Sequence, residues 1–83
     1  MIEAKIDELL NALAEKNKRY TDTIIPGFFR KIIWAGSKGK SVILIPADDS
    51  NIRIRQYHDG VEYDKGNFTK EQFIGLKVEQ LLK

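Results

Sequence analysis

The segment IRIRQYHDG, from Ile52 to Gly60, alternates cations with isoleucines before a tyrosine and a turn dipeptide. Side chains of an extended strand point alternately to opposite faces, so Arg53, Arg55 and Tyr57 share one face. Two guanidiniums beside a flat ring could neutralise phosphates and stack on an unpaired base. The same side chains could instead form a solvated outer face, and the alternation alone is compatible with both.

The dipeptide Asp59-Gly60 determines which residues lie opposite this strand. A type I′ hairpin turn needs positive φ at both central positions, and Asp-Gly is typical of it. The turn pairs Tyr57 with Glu62 and Arg55 with Asp64, and directly paired residues project from the same face. Cross-strand ion pairs on a solvated face contribute about a few tenths of a kcal/mol each. This arrangement is the alternative to ligand binding for Arg55.

Further cations and rings lie on the run FFRKIIWA and in the loop GSKGKS. Alternation puts Arg30 and Trp34 on one face of this strand and Lys31 on the other. Neither face is purely apolar, so one side must expose aromatic rings beside a cation. Trp34 has a second interpretation, as a residue of the core or of a dimer interface. The candidate nucleic-acid-binding residues are Arg30, Lys31, Trp34, Lys38, Lys40, Arg53, Arg55 and Tyr57.

The chain offers little for catalysis. It contains no cysteine and one histidine, His58, which excludes a disulfide framework and a cysteine- or histidine-rich metal site. Asp48-Asp49 fall in a turn, where aspartate commonly caps backbone amides. The loop GSKGKS lacks the first glycine of a Walker motif, because Trp34 stands there, and a strand follows instead of a helix. We therefore expect no enzyme, no cofactor and no metal site.

Hydrophobic spacing predicts the elements that position these residues. Ile2, Ile6, Leu9 and Leu13 form one stripe of a helix running from about residue 2 to 18. The extended runs FFRKIIWA, VILIP, IRIRQYH and VEYDK follow. The run VILI is apolar on both faces, which is typical of a central strand that is covered on each side.

A last helix begins at Thr69, with Gln72 placed for a capping box. Its main stripe is Ile74, Val78, Leu81 and Leu82, and further apolar residues widen the arc. We expect such a helix to contact the sheet and either the first helix or a second copy. The predicted fold is α+β and a single domain, 1–83. It has an N-terminal helix within 1–20, a three- or four-stranded antiparallel sheet in 28–65 and a C-terminal helix in 69–83.

Length and composition limit the possible partners. The chain has 83 residues and a net charge of +2. This charge is too small to indicate a nucleic-acid partner by itself. No apolar run approaches the ~20 residues of a membrane span, and the acidic N-terminus does not resemble a signal peptide. We therefore expect a cytoplasmic protein without a membrane partner.

A further pattern runs through the C-terminal half of the chain: Ile54-Arg55 and Tyr57 in IRIRQY, then Lys65-Gly66, then Thr69, Phe73 and Leu76 in TKEQFIGL. With these residues, segment 52–82 resembles the C-terminal half of the positive cofactor four transcriptional coactivator domain, whose bacterial and phage relatives bind single-stranded DNA. The resemblance implies four antiparallel strands followed by a helix, dimerisation through the helices, and a sheet that carries basic and aromatic residues onto DNA.

Two functions follow from these patterns. The leading hypothesis is a non-enzymatic, homodimeric module that binds single-stranded nucleic acid, DNA in particular, through a basic and aromatic sheet face. The alternative is a small protein-interaction module, such as an inhibitor or accessory factor from a phage or mobile element. In that case the stripe of the N-terminal helix or the pair Phe28-Phe29 would contact a partner protein.

Overall fold

The computed structural model describes residues 2–26, 29–36, 39–48 and 50–82. Three residues of the sequence-based hypotheses lie outside this part of the chain: Phe28, Lys38 and Asp49. The α+β class is confirmed, with a helix before an antiparallel sheet and short helices after it. The elements are α1 Ile2–Glu15, β1 Tyr20–Ile24, β2 Phe29–Gly36, β3 Gly39–Pro46, β4 Ile52–His58, β5 Val61–Phe68, α2 Lys70–Gly75 and α3 Val78–Leu81.

The first helix ends three residues earlier than its hydrophobic stripe suggests. Asn17 adopts a left-handed conformation with φ of 55°. The amide of Lys18 donates to the carbonyl of Leu13, and the amide of Asn17 donates to that of Ala14, both at 3.0 Å. These two bonds are those of a Schellman motif with Asn17 at the C′ position, which satisfies the last carbonyls of α1 and ends it.

The sheet has five strands across the described residues, so the predicted count of three or four was too low. The additional strand is β1, and every one of its residues is exposed. A strand that is exposed on both faces lacks the alternation of apolar and polar residues by which strands are detected. Its signal is its content of threonine, tyrosine and isoleucine, which favour extended structure.

The strands pair in chain order as an antiparallel meander. Asp59 and Gly60 have φ of 51° and 77°, as the type I′ turn requires. The predicted register is confirmed, with Tyr57 opposite Glu62 and Arg55 opposite Asp64. Farther from the turn, the register between β4 and β5 shifts at Ile54 and Arg55.

The three described helices pack on one face of the sheet and bury most of the positions that β2, β3 and β4 contribute to it. This inner face presents the even-numbered residues of β2 and β4 and the odd-numbered residues of β3. Because its side chains alternate with those of the opposite face, all the described apolar core lies on one side of the sheet. The core consists of Ile6, Leu9 and Leu13 of α1, Ile32, Trp34, Ile43, Ile45, Ile52 and Ile54 of the sheet, and Phe73, Val78, Leu81 and Leu82 at the C-terminal end.

The C-terminal segment forms two short helices instead of the single predicted one. The capping box at Thr69 and Gln72 is present, with both reciprocal hydrogen bonds. Leu76 then adopts an extended conformation that ends α2. The break lets Phe73 and Val78 both reach the core, while Ile74 of the predicted stripe is exposed. The wide apolar arc is therefore explained within one chain, by burial against the sheet and α1. No helix among the described residues is long and apolar enough to cross a bilayer.

A glycine at the start of β3 permits the close approach of β4. Gly39 has φ of 142°, and a Cβ built there would lie 1.6 Å from the backbone oxygen of Tyr57. We expect Gly39→Ala to lower the free energy of unfolding by about 2–3 kcal/mol, because both the backbone conformation and the neighbouring strand oppose a side chain. Urea denaturation followed by circular dichroism measures this change.

Gly75→Ala is the matched control for this substitution. Gly75 ends α2 and has no atom within 4 Å of a built Cβ. Alanine favours helix, so this variant should be unchanged or more stable by up to about 1 kcal/mol. Equal stability of the two variants would contradict the close approach at Gly39.

Candidate nucleic-acid interface

The face of the sheet opposite the helices, called the outer face below, brings together five of the predicted binding residues. In the described part of the chain α1, α2 and α3 all pack on the inner face, so no described helix covers this one. Its cations come from three neighbouring strands, and its aromatic ring comes from β4. The outer face comprises Lys31 and Ile33 of β2, Lys40, Val42 and Leu44 of β3, and Arg53, Arg55 and Tyr57 of β4.

The strand register arranges these side chains in three rows across the sheet. One row contains Lys31, Leu44 and Arg53, the next contains Ile33, Val42 and Arg55, and the third contains Lys40 and Tyr57. Neighbouring strands lie ~4.8 Å apart, and successive rows lie ~6.7 Å apart along each strand. The four cations therefore surround a central group of aliphatic side chains.

That aliphatic group forms the floor of an open depression of about 360 Å³. Val42 is buried although it lies outside the core cluster, and Ile33 and Leu44 are half-buried. Long basic side chains can cover such a floor with their methylene groups while their charges stay in water. The prediction that VILI is covered on both sides was therefore only half right: helices cover one side, and neighbouring side chains shield the other.

Three of the cations are available to a ligand. Lys31, Lys40 and Arg53 form no ion pair with any side chain in the described part of the chain. Lys40 and Arg53 are exposed, and Lys31 is half-buried.

The fourth cation, Arg55, is held by a carboxylate on β5. Its guanidinium forms a salt bridge with Glu62, and the hydroxyl of Tyr57 donates to the same carboxylate oxygen at 3.3 Å. Arg55 thus bonds the diagonal neighbour Glu62, although its directly paired residue is Asp64. Tyr57 is 36% exposed, so part of the residue is accessible to a ligand.

Arg30 was a wrong prediction for this site. It lies on the inner face, because β2 alternates and Lys31 takes the outer position. Its Nε and Nη2 donate to the two carboxylate oxygens of Asp22, at 2.7 and 2.5 Å. The hydrogen bond to Asp22 raises the pKa of Arg30, and the charges of Asp7 and Glu3 on α1 raise it further.

Trp34 was also wrong as a stacking residue, and its alternative interpretation as a core residue is correct. It is 1% exposed and packs in the inner-face cluster. Its directly paired neighbour Ser41 is equally buried. The Trp34 Nε1 and Ser41 Oγ atoms find no hydrogen-bond partner among the described residues. Burial of these groups costs stability, which the packing of the indole ring must offset.

The fold also determines which of the surfaces named for a protein partner are exposed. Ile6, Leu9 and Leu13 of the α1 stripe are buried in the core, so they offer no surface to a partner. Phe29 is partly exposed and adjoins Ile24 and Ile25 in an apolar depression of about 330 Å³.

The sequence hypotheses overlooked the floor of the outer face. Val42 and Leu44 were assigned to a strand that is covered on both sides, because their apolar character gave no reason to place them on an open face. Strict alternation from Lys31 through β2 and β3 would have placed them beside the cations. The described residues contain no group of three or more acidic or histidine side chains that could hold a metal ion.

The pair Asp22–Arg30 makes the stability of the fold depend on pH. The hydrogen bond from Arg30 holds the pKa of Asp22 below its usual range. Ionised Asp22 therefore stabilises the folded state above the unfolded-state pKa of ~3.9, and this contribution is lost as the pH falls through the lower folded-state pKa. Wild type should exceed Asp22→Asn by about 0.5–1 kcal/mol in free energy of unfolding at pH 7, and the difference should be smaller at pH 2.

Urea denaturation at both pH values measures this difference. The Arg30→Gln and double variants complete a mutant cycle that isolates the pair. A difference between wild type and Asp22→Asn that is the same at both pH values would show that the carboxylate charge is not responsible.

Comparison with known proteins identifies no relative of this chain. No protein-family model, no curated protein and no solved structure matches the chain. The function is therefore inferred from the chemistry of the outer face.

Proposed function

We propose that this protein is a non-enzymatic module that binds single-stranded nucleic acid through the outer face. The observation that carries the proposal is the shared position of four cations and the Tyr57 ring on a face that the described helices leave open. The register places two acids on this face, Glu62 opposite Tyr57 and Asp64 opposite Arg55, so the four cations outnumber them and the local charge is positive. The resemblance to the positive cofactor four domain supports the same use of a sheet, although the chain has an additional strand and an N-terminal helix.

Each part of the outer face has a role in this proposal. Lys31, Lys40 and Arg53 neutralise backbone phosphates and release counterions. Tyr57 stacks on an unpaired base, and the aliphatic floor accepts the apolar parts of a neighbouring base or sugar. Arg55 donates to a phosphate when the ligand replaces Glu62, because guanidinium binds phosphate oxygens in the same bidentate manner as carboxylate oxygens.

The shape of the site favours a single strand over a duplex. The major groove of DNA admits a helix or a two-stranded ribbon, whereas the outer face spans neighbouring strands of a broad sheet. A duplex also hides the faces of its bases, which Tyr57 would need for stacking. A flexible single strand can lay both its phosphates and its bases along the rows of the sheet.

A protein partner is the second candidate function. The exposed apolar side chains of Ile24, Ile25 and Phe29 favour it, because they adjoin one depression at the end of the sheet. This patch does not include Lys40, Arg53, Arg55 or Tyr57, so substitutions in the two regions separate the candidates.

We expect Lys31→Ala/Lys40→Ala to weaken binding of a labelled oligonucleotide and to flatten its salt dependence. Two fewer phosphate contacts should reduce the slope of log K against log salt by about 1.4. Fluorescence anisotropy at several salt concentrations measures both quantities. Lys16→Ala/Lys77→Ala is the control, because it removes the same charge from exposed positions on the helical side. Absence of binding by wild type, or equal slopes for the two double variants, would refute the proposal.

Tyr57→Ala tests the stacking role independently of charge. Loss of a base–ring stack costs about 1–3 kcal/mol, so the affinity should fall about 5- to 150-fold. Tyr57→Phe keeps the ring and should bind nearly as well as wild type. Tyr63→Ala is the matched control, because Tyr63 is 53% exposed on the same hairpin and pairs with Gln56 on the other face. Similar losses of affinity for Tyr57→Ala and Tyr63→Ala would show that the oligonucleotide does not bind specifically to the outer face.

A further inference from the structure

No described strand pairs with the outer edge of β1, so the backbone groups of that edge have no partner strand among the described residues. The amide of Ile25 donates to the carbonyl of Phe29 on β2 at 3.0 Å. Because backbone groups of alternate residues point to opposite sides of a strand, this hydrogen bond shows which residues of β1 direct their backbone groups towards β2. Thr21 and Thr23 therefore direct their amides and carbonyls towards β2, whereas Tyr20, Asp22 and Ile24 direct theirs away from the sheet. Such an edge is a template for another strand.

The two edges of the sheet differ in how well they are protected against pairing with another strand. The β5 edge follows a register shift and contains Gly66 with φ of 126°, features that bend a strand and hinder further pairing. The described strand β1 has no register shift against β2 and no proline or lysine between Tyr20 and Ile24. Its side chains also include Ile24, 70% exposed, and Tyr20, 40% exposed.

The sequence of β1, YTDTI, has a chemical symmetry about its central residue. An apolar residue stands at each end, a threonine lies next on each side, and Asp22 lies in the middle. In an antiparallel pair of two such strands centred on Asp22, each residue faces one of its own chemical type. This register also places every outward amide and carbonyl opposite a partner on the second copy.

We propose that β1 is a self-association edge, through which two copies of this chain pair antiparallel about a twofold axis at Asp22. Tyr20 then faces Ile24 of the second copy, an aromatic and β-branched pair that stabilises sheets, and it covers the most exposed of these apolar side chains. Thr21 faces Thr23 of the second copy on the opposite side of the sheet. The contact is isologous and closes as a dimer.

The facing aspartates are compatible with this pairing. Like charges directly opposite each other destabilise a sheet. Each Asp22 carboxylate, however, already accepts two hydrogen bonds from the guanidinium of Arg30 on its own chain. The axis therefore brings together two neutralised pairs, which the inward position of Arg30 on β2 makes possible.

The association would join the two sheets into one, with their outer faces on the same side. Lys31 lies on β2, directly next to the joining strand, so the basic surfaces of the two copies would lie on the same side of the joined sheet, separated by the threonines of the two β1 strands. The proposal does not depend on nucleic-acid binding, because it rests on the edge of the sheet and not on its outer face. A strand pair of this length buries less area than a standard interface, so we expect weak association, with Kd on the order of 0.1–1 mM.

Register-specific crosslinking tests the proposal. The chain has no cysteine, so single variants Thr21→Cys and Thr23→Cys each carry one thiol. In the proposed register these positions face each other with Cα atoms ~4.5 Å apart, within disulfide range. Two copies of the same position would be ~8 Å apart, beyond that range. Mild oxidation of a mixture, with one variant labelled with ¹⁵N, should yield mainly mixed dimers by mass spectrometry.

Sedimentation equilibrium at up to ~1 mM chain provides the second measurement. Wild type should associate, whereas Ile24→Lys should stay monomeric, because a charge on an exposed edge opposes pairing without disturbing the core. Val61→Lys is the matched control and should associate as wild type does, because Val61 is 52% exposed on β5. A monomeric wild type, association of Ile24→Lys, or crosslinking that is equally efficient within a single cysteine variant would overturn the proposal.

Discussion

The burial of one sheet face beneath three helices is the constraint on which the rest of this structure depends. Trp34, Ile43 and Ile54 point into that layer, and Leu9 and Phe73 meet them from the helices. Each fully buried side chain of this size contributes about 1.5–3 kcal/mol, and a chain of this length has few of them. Because strand residues alternate, filling the inner face assigns Lys31, Lys40 and Arg53 to the outer one. The position of the cations is thus a consequence of the packing of the core.

Local chemistry made part of this arrangement predictable. The turn Asp59-Gly60 fixes the pairing of β4 with β5, because two positive φ angles at adjacent residues allow one tight hairpin geometry. The capping box at Thr69 marks the start of α2 for a similar reason, since both hydrogen bonds lie within four residues. The alternation in β4 separates Arg53 and Arg55 from the isoleucines without knowledge of the rest of the fold. Each of these signals is contained in a few consecutive residues.

The features that were missed depend on distant parts of the chain. The faces of β2 look alike in sequence, and Trp34 is interior because α1, α2 and α3 all lie on its side. Arg30 is unavailable because Asp22 of β1 reaches it, and β1 has no apolar alternation by which to be recognised. The interruption at Leu76 similarly follows from the need to direct Phe73 and Val78 into one core. Packing between distant elements determines these features, so the sequence pattern of one element cannot predict them.

Glu62 has a place in the proposed interface although its charge opposes phosphate. Its carboxylate bonds Arg55 and Tyr57 together, so it holds both side chains over the outer face in the absence of a ligand. A partly exposed ion pair is worth about 0–1 kcal/mol, which a phosphate that binds Arg55 bidentately readily replaces. The displaced carboxylate then stays near the bound backbone. The same acid thus orients both the cation and the ring that the proposed interface uses.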